Sequence, residues 1–291
     1  MMKLAPSLKA LINAPHSRPG PTSAPAHIAE VYRAVARDAA KHNVGNQPWI
    51  TISAAATITL NSPASLSVLH GVATDETTAS ASGRSENPIA AAELIREVGL
   101  KCIGFNGIPR TINVLGAFRT ALSADVVAGL ATQSTRTPTP ETLAAISARG
   151  LTLWRSVYAG VDQKLLDKLA ESHPDLPVHI LNSHYGPLFT DPPHHGDGGL
   201  ANVGRALTSL VGITCLRAQQ GVGPQVLSHV FGLRKAIADG SWKPAGTGAD
   251  ALEQVRGVDW LATDDGSEWI LRTVDTIVDA LGGSNFAGAK L

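Results

Sequence analysis

Glu93, Glu97 and Lys101 recur every fourth residue in a run that reads as helix, so they share one face. Glu97 precedes Lys101 in the favourable order for an i,i+4 ion pair. On an exposed face that pair adds only a few tenths of a kcal/mol, roughly 0.2–0.5. In a site the same residues do chemistry: Glu97 as an acid/base carboxylate, Lys101 as its electrostatic partner, with burial able to lower the lysine pKa. Arg110, nine residues further on, has the forked guanidinium that clamps a carboxylate at the mouth of such a site. Cys102 adjoins Lys101, and the only other cysteine is Cys215. Neither has a partner at Cys-x-x-Cys spacing, so a thiol that attacks peroxide lacks a resolving thiol one turn away. Both then read as small core residues, unless the fold brings their Cα atoms to within the ~6 Å a disulfide needs.

His229 interrupts an apolar stripe, Val226 to Leu233, and reads either as a hydrogen-bonded core residue or as a base. Gln219, Gln225 and Arg234 are polar groups close enough in sequence to line the same pocket. His70 holds the corresponding place in the first half of the chain. His194-His195-x-Asp197 has metal-ligand residue types, but no second ligand set follows at recognisable spacing, so no metal is expected. No cofactor motif is present.

These residues need helices to position them. Residues 26–42 carry an amphipathic stripe through Ile28, Val31, Val35 and Ala39. Trp49 to Leu60 is apolar on most faces and reads as buried. Pro63 opens the next helix, to Thr74, with Ser62 as N-cap. Polar residues 75–86 form a loop, and helices follow over 87–106 and 108–122. Thr135 to Pro140 reads as a linker. Beyond it helices are expected over 141–158, 163–171, 200–219, 225–238, 249–258 and 268–281, with turns at 173–177 and 192–199. No alternating strand run appears, so the class is all-α. There is a faint echo: Trp49–Leu60, a proline break and His70 parallel Arg205–Gln219, a proline break and His229.

The run Phe105-Asn106-Gly107-Ile108-Pro109-Arg110 is a helix–elbow–helix break, with Gly107 at the bend and Pro109 in the first turn of the next helix. With the helices around it, and with Tyr185-Gly186-Pro187 ahead of Arg205, it resembles the carboxymuconolactone decarboxylase / AhpD-like superfamily. That resemblance implies an AhpD-like helical fold in two fused repeats, 26–134 and 141–291, after an N-terminal arm (1–25). It implies a homo-oligomer acting without metal or cofactor on a small-molecule substrate. The function implied first is a lyase or isomerase using acid–base chemistry on a small organic acid, with Glu97, Lys101, His229 and Cys102 as catalytic residues and Arg110, Asn106, Gln219, Arg234 and His70 around the substrate. An alkylhydroperoxidase and a non-catalytic ligand-binding or scaffold member are the alternatives. Lys101 stands where the superfamily usually has a histidine, and the lone Cys102 where a peroxidase needs a pair.

The 24 Lys and Arg residues equal the 24 Asp and Glu, which gives no basic surface for nucleic acid or an anionic membrane. No apolar run is long enough to span a bilayer. Two cysteines point to a reducing compartment. The Pro-rich residues 1–25 carry Lys3, Lys9 and Arg18 without an acid, faintly like a mitochondrial transit peptide. The terminal Ala289-Lys290-Leu291 is a variant of the small-basic-Leu address read by the peroxisomal import receptor, so a peroxisomal location is expected, ahead of a cytoplasmic or mitochondrial one.

Overall fold

The structure, a computed structural model, describes residues 3–15, 20–75, 85–243, 252–253, 255–284 and 286. Among these every regular element is helical and no strand occurs. In chain order the helices are α1 (Pro6–Ile12), α2 (Ile28–Lys41), α3 (Asn46–Thr59), α4 (Pro63–Thr74), α5 (Pro88–Lys101), α6 (Ile103–Asn106), α7 (Ile108–Ala121), α8 (Ala124–Gly129), α9 (Leu143–Tyr158), α10 (Asp162–Ser172), α11 (Asp175–His179), α12 (Gly204–Gln219), α13 (Gly223–Asp239), α14 (Val258–Leu261) and α15 (Asp264–Ala280). A π-helical stretch, Ile180–Phe189, continues α11, and a 3₁₀ turn spans His195–Gly198.

Helices α3 and α12 pack against each other at the centre. Every residue of α3 from Pro48 to Thr59 is buried, because Ser53, Ala54, Ala55 and Ala56 are small enough for neighbours to approach on all sides. Helix α12 buries Ser209 to Leu216 without interruption. Around this pair lie α2, α4, α5, α13 and α15, and one apolar core runs through them from both halves of the chain. A smaller aromatic cluster, with Trp154, Tyr185 and Phe189, joins α9 to the π stretch. Here two backbones nearly touch: a Cβ on Gly150 would lie 2.5 Å from the Gly186 nitrogen.

The expected helices recur with shifted ends. Pro88 follows Asn87, whose Oδ1 accepts hydrogen bonds from the Ile89 and Ala90 nitrogens (2.9 and 3.2 Å), so α5 starts where the cap places it. The helix expected to run on to residue 106 pauses at Cys102 and resumes as the single turn α6. Gly107 then makes the elbow at φ 81°, ψ 161°, a region essentially reserved for glycine. Gln220, after α12, holds nearly the same conformation at φ 66°, ψ 165°. Helices α1, α8, α11 and α14 and the π stretch were not expected: the four helices are short, and the π stretch carries Pro187, which does not suit a helix interior. Of the helix expected over 249–258, residues 252 and 253 are helical and 255–257 form turns, while 249–251 and 254 lie outside the described residues, as does the terminal tripeptide.

Candidate active site

Helix α5 buries Glu93, Glu97 and Lys101 along with its apolar residues. A buried charge is tolerable only with partners, and each of these has them. Glu93 Oε1 accepts from Arg96 (2.6 Å) and from the Ala131 nitrogen (2.8 Å). Lys101 is fully enclosed, and its Nζ donates to Asp191 Oδ1 (2.7 Å), to the Phe189 carbonyl (2.7 Å) and to the Leu188 carbonyl (3.4 Å). Those carbonyls are the unpaired C-terminal end of the π stretch, where a cation is most favourable. Arg136 Nε serves the Pro187 carbonyl of the same end (3.1 Å) and its Nη2 lies 2.5 Å from Glu97 Oε1. Glu97 Oε1 is also 3.7 Å from Lys101 Nζ.

His195 completes the cluster. Its loop turns at His194, which takes a left-handed conformation (φ 60°), so the two histidines separate. His194 meets Asp197 in solvent (2.9 Å), while His195 points inward and is 1% exposed. Its Nδ1 lies 2.6 Å from Thr135 Oγ1 and its Nε2 3.4 Å from Glu97 Oε2. Thr135 donating to Nδ1 leaves the proton on Nε2, directed at Glu97. Burial by itself would raise the Glu97 pKa. The hydrogen bond from His195 and the charges of Lys101 and Arg136 outweigh it and hold the carboxyl at about 2.

Donor atoms of Glu97, Asp191 and His195 lie within 4.8 Å of one another, a spacing compatible with a metal ion. The cationic positions beside those carboxylates are taken by Lys101 and Arg136, however, so two carboxylates already face two cations. The residues fit an ionic cluster better than a metal centre.

Asp191 and His195 open onto a cavity of about 660 Å³. Its walls include Leu153, Phe189 and Val203 and three cations, Arg149, Arg205 and Lys243. That is the size and mixed polarity of a small-molecule site.

Of the residues singled out from sequence, Glu97 and Lys101 come together. Cys102 lies behind them in the core, its sulfur 3.5 Å from that of Cys215; both are fully buried free thiols, and burial followed by the Cys215 contact pushes the Cys102 pKa well up. Asn106, Gln219 and Arg110 bind the elbow rather than the cavity. Gln219 Nε2 donates to the Phe105 carbonyl (2.7 Å) and to Asn106 (3.2 Å), Asn106 donates to Thr59 (3.1 Å), and Arg110 donates to the Thr59 carbonyl and covers the Phe286 ring. His70 contacts the Pro88 carbonyl (2.9 Å), and Arg234 pairs with Asp264 (2.6 Å) above a different groove. His229 sits in a separate crevice with Phe105, Tyr185 and Arg205. Burial, then the Arg205 charge, lowers its pKa to about 4.

Sequence reading missed Thr135, Arg136 and Asp191. The usable signal was the Glu93-Glu97-Lys101 face: α5 is too apolar elsewhere to leave that face in water, so it demanded partners from a distant segment. No family model matches the chain, and neither a curated protein nor a solved structure matches it.

Proposed function

We propose that this chain is a carboxymuconolactone decarboxylase-like, AhpD-like protein of two fused repeats, acting as a cofactor-free lyase or isomerase on a small organic acid. The matched central helices α3 and α12, each followed by a residue of positive φ (Asn61, 54°; Gln220, 66°) and then by a helix with proline in its first turn, support the repeat reading. The observation that carries the activity is the buried relay Thr135–His195–Glu97 at the edge of the 660 Å³ cavity. In this reading His195 takes the place expected for His229. The substrate proton reaches His195 Nδ1 by way of the Thr135 hydroxyl, which gives up its own proton as it takes the substrate's, and the ionised Glu97, facing Nε2–H, stabilises the imidazolium that forms. Lys101 and Arg136 keep Glu97 charged in a site from which water is largely excluded.

The test is turnover of a panel of small lactone, keto and unsaturated carboxylic acids, followed by carbon dioxide release and ultraviolet absorbance. His195→Gln should lower kcat by about 10²–10⁴. Equal turnover in His195→Gln, or loss only in a Cys102→Ser/Cys215→Ser double variant, contradicts the reading. The second reading, a ligand-binding member without turnover, is favoured by one observation: all three Lys101 N–H groups are already committed. It predicts saturable binding of a panel member with no product. The thiol peroxidase reading draws no support from two enclosed thiols. We extend the proposal to a homo-oligomer with a peroxisomal address at Ala289-Lys290-Leu291; a fluorescent fusion with these residues intact that stays cytosolic contradicts the address.

A further inference from the structure

Arg205 is anchored without a carboxylate. Its Nε donates to Ser156 Oγ (3.0 Å), Nη1 to Ser209 Oγ and Nη2 to the Gly232 carbonyl (2.9 Å). Three of its five N–H groups are thereby used on neutral acceptors, and two remain. Burial brings its pKa down to about 10, against the weak pull of Asp239, and no described acid lies within ion-pair distance. Arg149, on the same cavity, has a buried Nε with no hydrogen-bond partner and no ion pair among the described residues. The cavity's two acids do not compensate: Asp191 is held by Lys101, and Asp197 lies exposed beside His194 and pairs with neither arginine. Elsewhere in the interior the charges of Glu93, Glu97, Lys101 and Arg136 all have opposite partners.

Arg149, Leu153 and Ser156 share one face of α9, at i, i+4 and i+7. Arg205 is bonded to Ser156, so the two arginines mark the ends of that face, about 10 Å apart along the helix at ~1.5 Å per residue. Leu153 lies between them as an apolar floor. We infer that Arg149 and Arg205 form a two-ended anion clamp in this cavity, binding a small molecule that carries an oxyanion at each end of a short carbon chain. Guanidinium forks suit planar carboxylates, and the spacing selects for length: a monoacid engages one end, and a compact dianion such as phosphate cannot reach both. The clamp concerns binding alone and stands whether or not the cavity turns its ligand over.

The experiment is calorimetric titration of the full chain with adipate, butyrate and inorganic phosphate at low salt. Adipate should bind at least tenfold tighter than either of the others. Arg149→Gln should weaken adipate by about ten- to a hundredfold, to the level of butyrate, with an unchanged helical spectrum. Arg205→Lys keeps the charge and removes the fork, and should weaken adipate at least threefold even if Arg205→Gln fails to fold. Lys243→Gln, at the exposed rim, should change affinity by less than about twofold. Absence of adipate binding, equal affinity in Arg149→Gln, or phosphate binding more tightly than adipate overturns the clamp. None of these outcomes bears on turnover, so the acid–base reading stands or falls separately.

Discussion

The two sides of the cavity treat charge in opposite ways. On one side Glu97 and Asp191 face Lys101 and Arg136, and the last carbonyls of the π stretch and the ring of His195 take up the remaining hydrogen bonds. On the other, Arg149 and Arg205 are held by neutral groups or by none, and behind Arg205, in the adjoining crevice, His229 is kept uncharged. The first side is complete in itself, and its geometry is fixed before any ligand arrives. The second is incomplete, and its missing part is an anion. In the proposed reading the reacting group lies on the rigid side and recognition on the unsatisfied one.

Removing one charge from each side separates them most sharply. Lys101→Met leaves Asp191 and Glu97 short of a buried cation and should cost about 3–5 kcal/mol in urea unfolding. Arg149→Gln removes a cation that has no counter-ion and should shift stability by less than about 0.5 kcal/mol. Equal losses would mean that Arg149 has a structural partner.

Acid should act on the two sides in separate windows. Glu97 has a folded pKa of about 2, below its unfolded value near 4.5, so its contribution is full above pH 4.5 and disappears as pH falls through 2. The difference is worth about 3 kcal/mol, and Glu97→Gln should abolish that part of the pH dependence. His229 titrates at about 4 folded and near 6.5 unfolded, so the unfolded chain takes the proton first. Stability should fall by up to about 3 kcal/mol between pH 6.5 and 4, and His229→Leu should flatten that slope while leaving the lower window intact. A single transition lost with either variant would show that the two groups titrate as one network.

The smallest effect concerns the thiols behind the cluster. Cys102 and Cys215 should stay unmodified by an aromatic disulfide reagent in the folded protein and react together on unfolding, and Cys102→Ala should cost only about 1 kcal/mol. Rapid modification in the native state would reopen thiol chemistry.

Much of the fold was legible because helix signals are local. Proline at the first turn and the apolar run of α3 each act within a few residues. Ser62 stands at the expected N-cap position of α4, although its hydroxyl donates to the Thr22 carbonyl and meets Ser65 Oγ rather than capping the helix. The π stretch was not, because its wide turns are stabilised by Arg136 and Lys101, which lie 44 or more residues earlier in the chain. Within the site, Glu97 and Lys101 were legible because one helix turn places them side by side. Thr135 and Arg136 read as linker, since their composition is that of a loop; only the fold brings that loop over α5. His195 was noticed for the wrong partners. Its neighbours have metal-ligand residue types without a second ligand set, so the stretch was set aside, whereas the left-handed His194 turns His195 toward Glu97. Asn106, Gln219 and Arg110 were expected at the substrate and instead brace the elbow.

The charge state of Glu97 tests the account most directly. Its side-chain carboxyl carbon can be followed by ¹³C NMR in the folded protein from pH 7 downward. The account predicts a resonance that stays at the ionised position as far down as the fold survives, toward pH 2, and that moves upward in pH when His195 is replaced by Gln. A midpoint near 4.5 or above in the folded wild-type protein would contradict it, because the cluster would then not hold Glu97 charged.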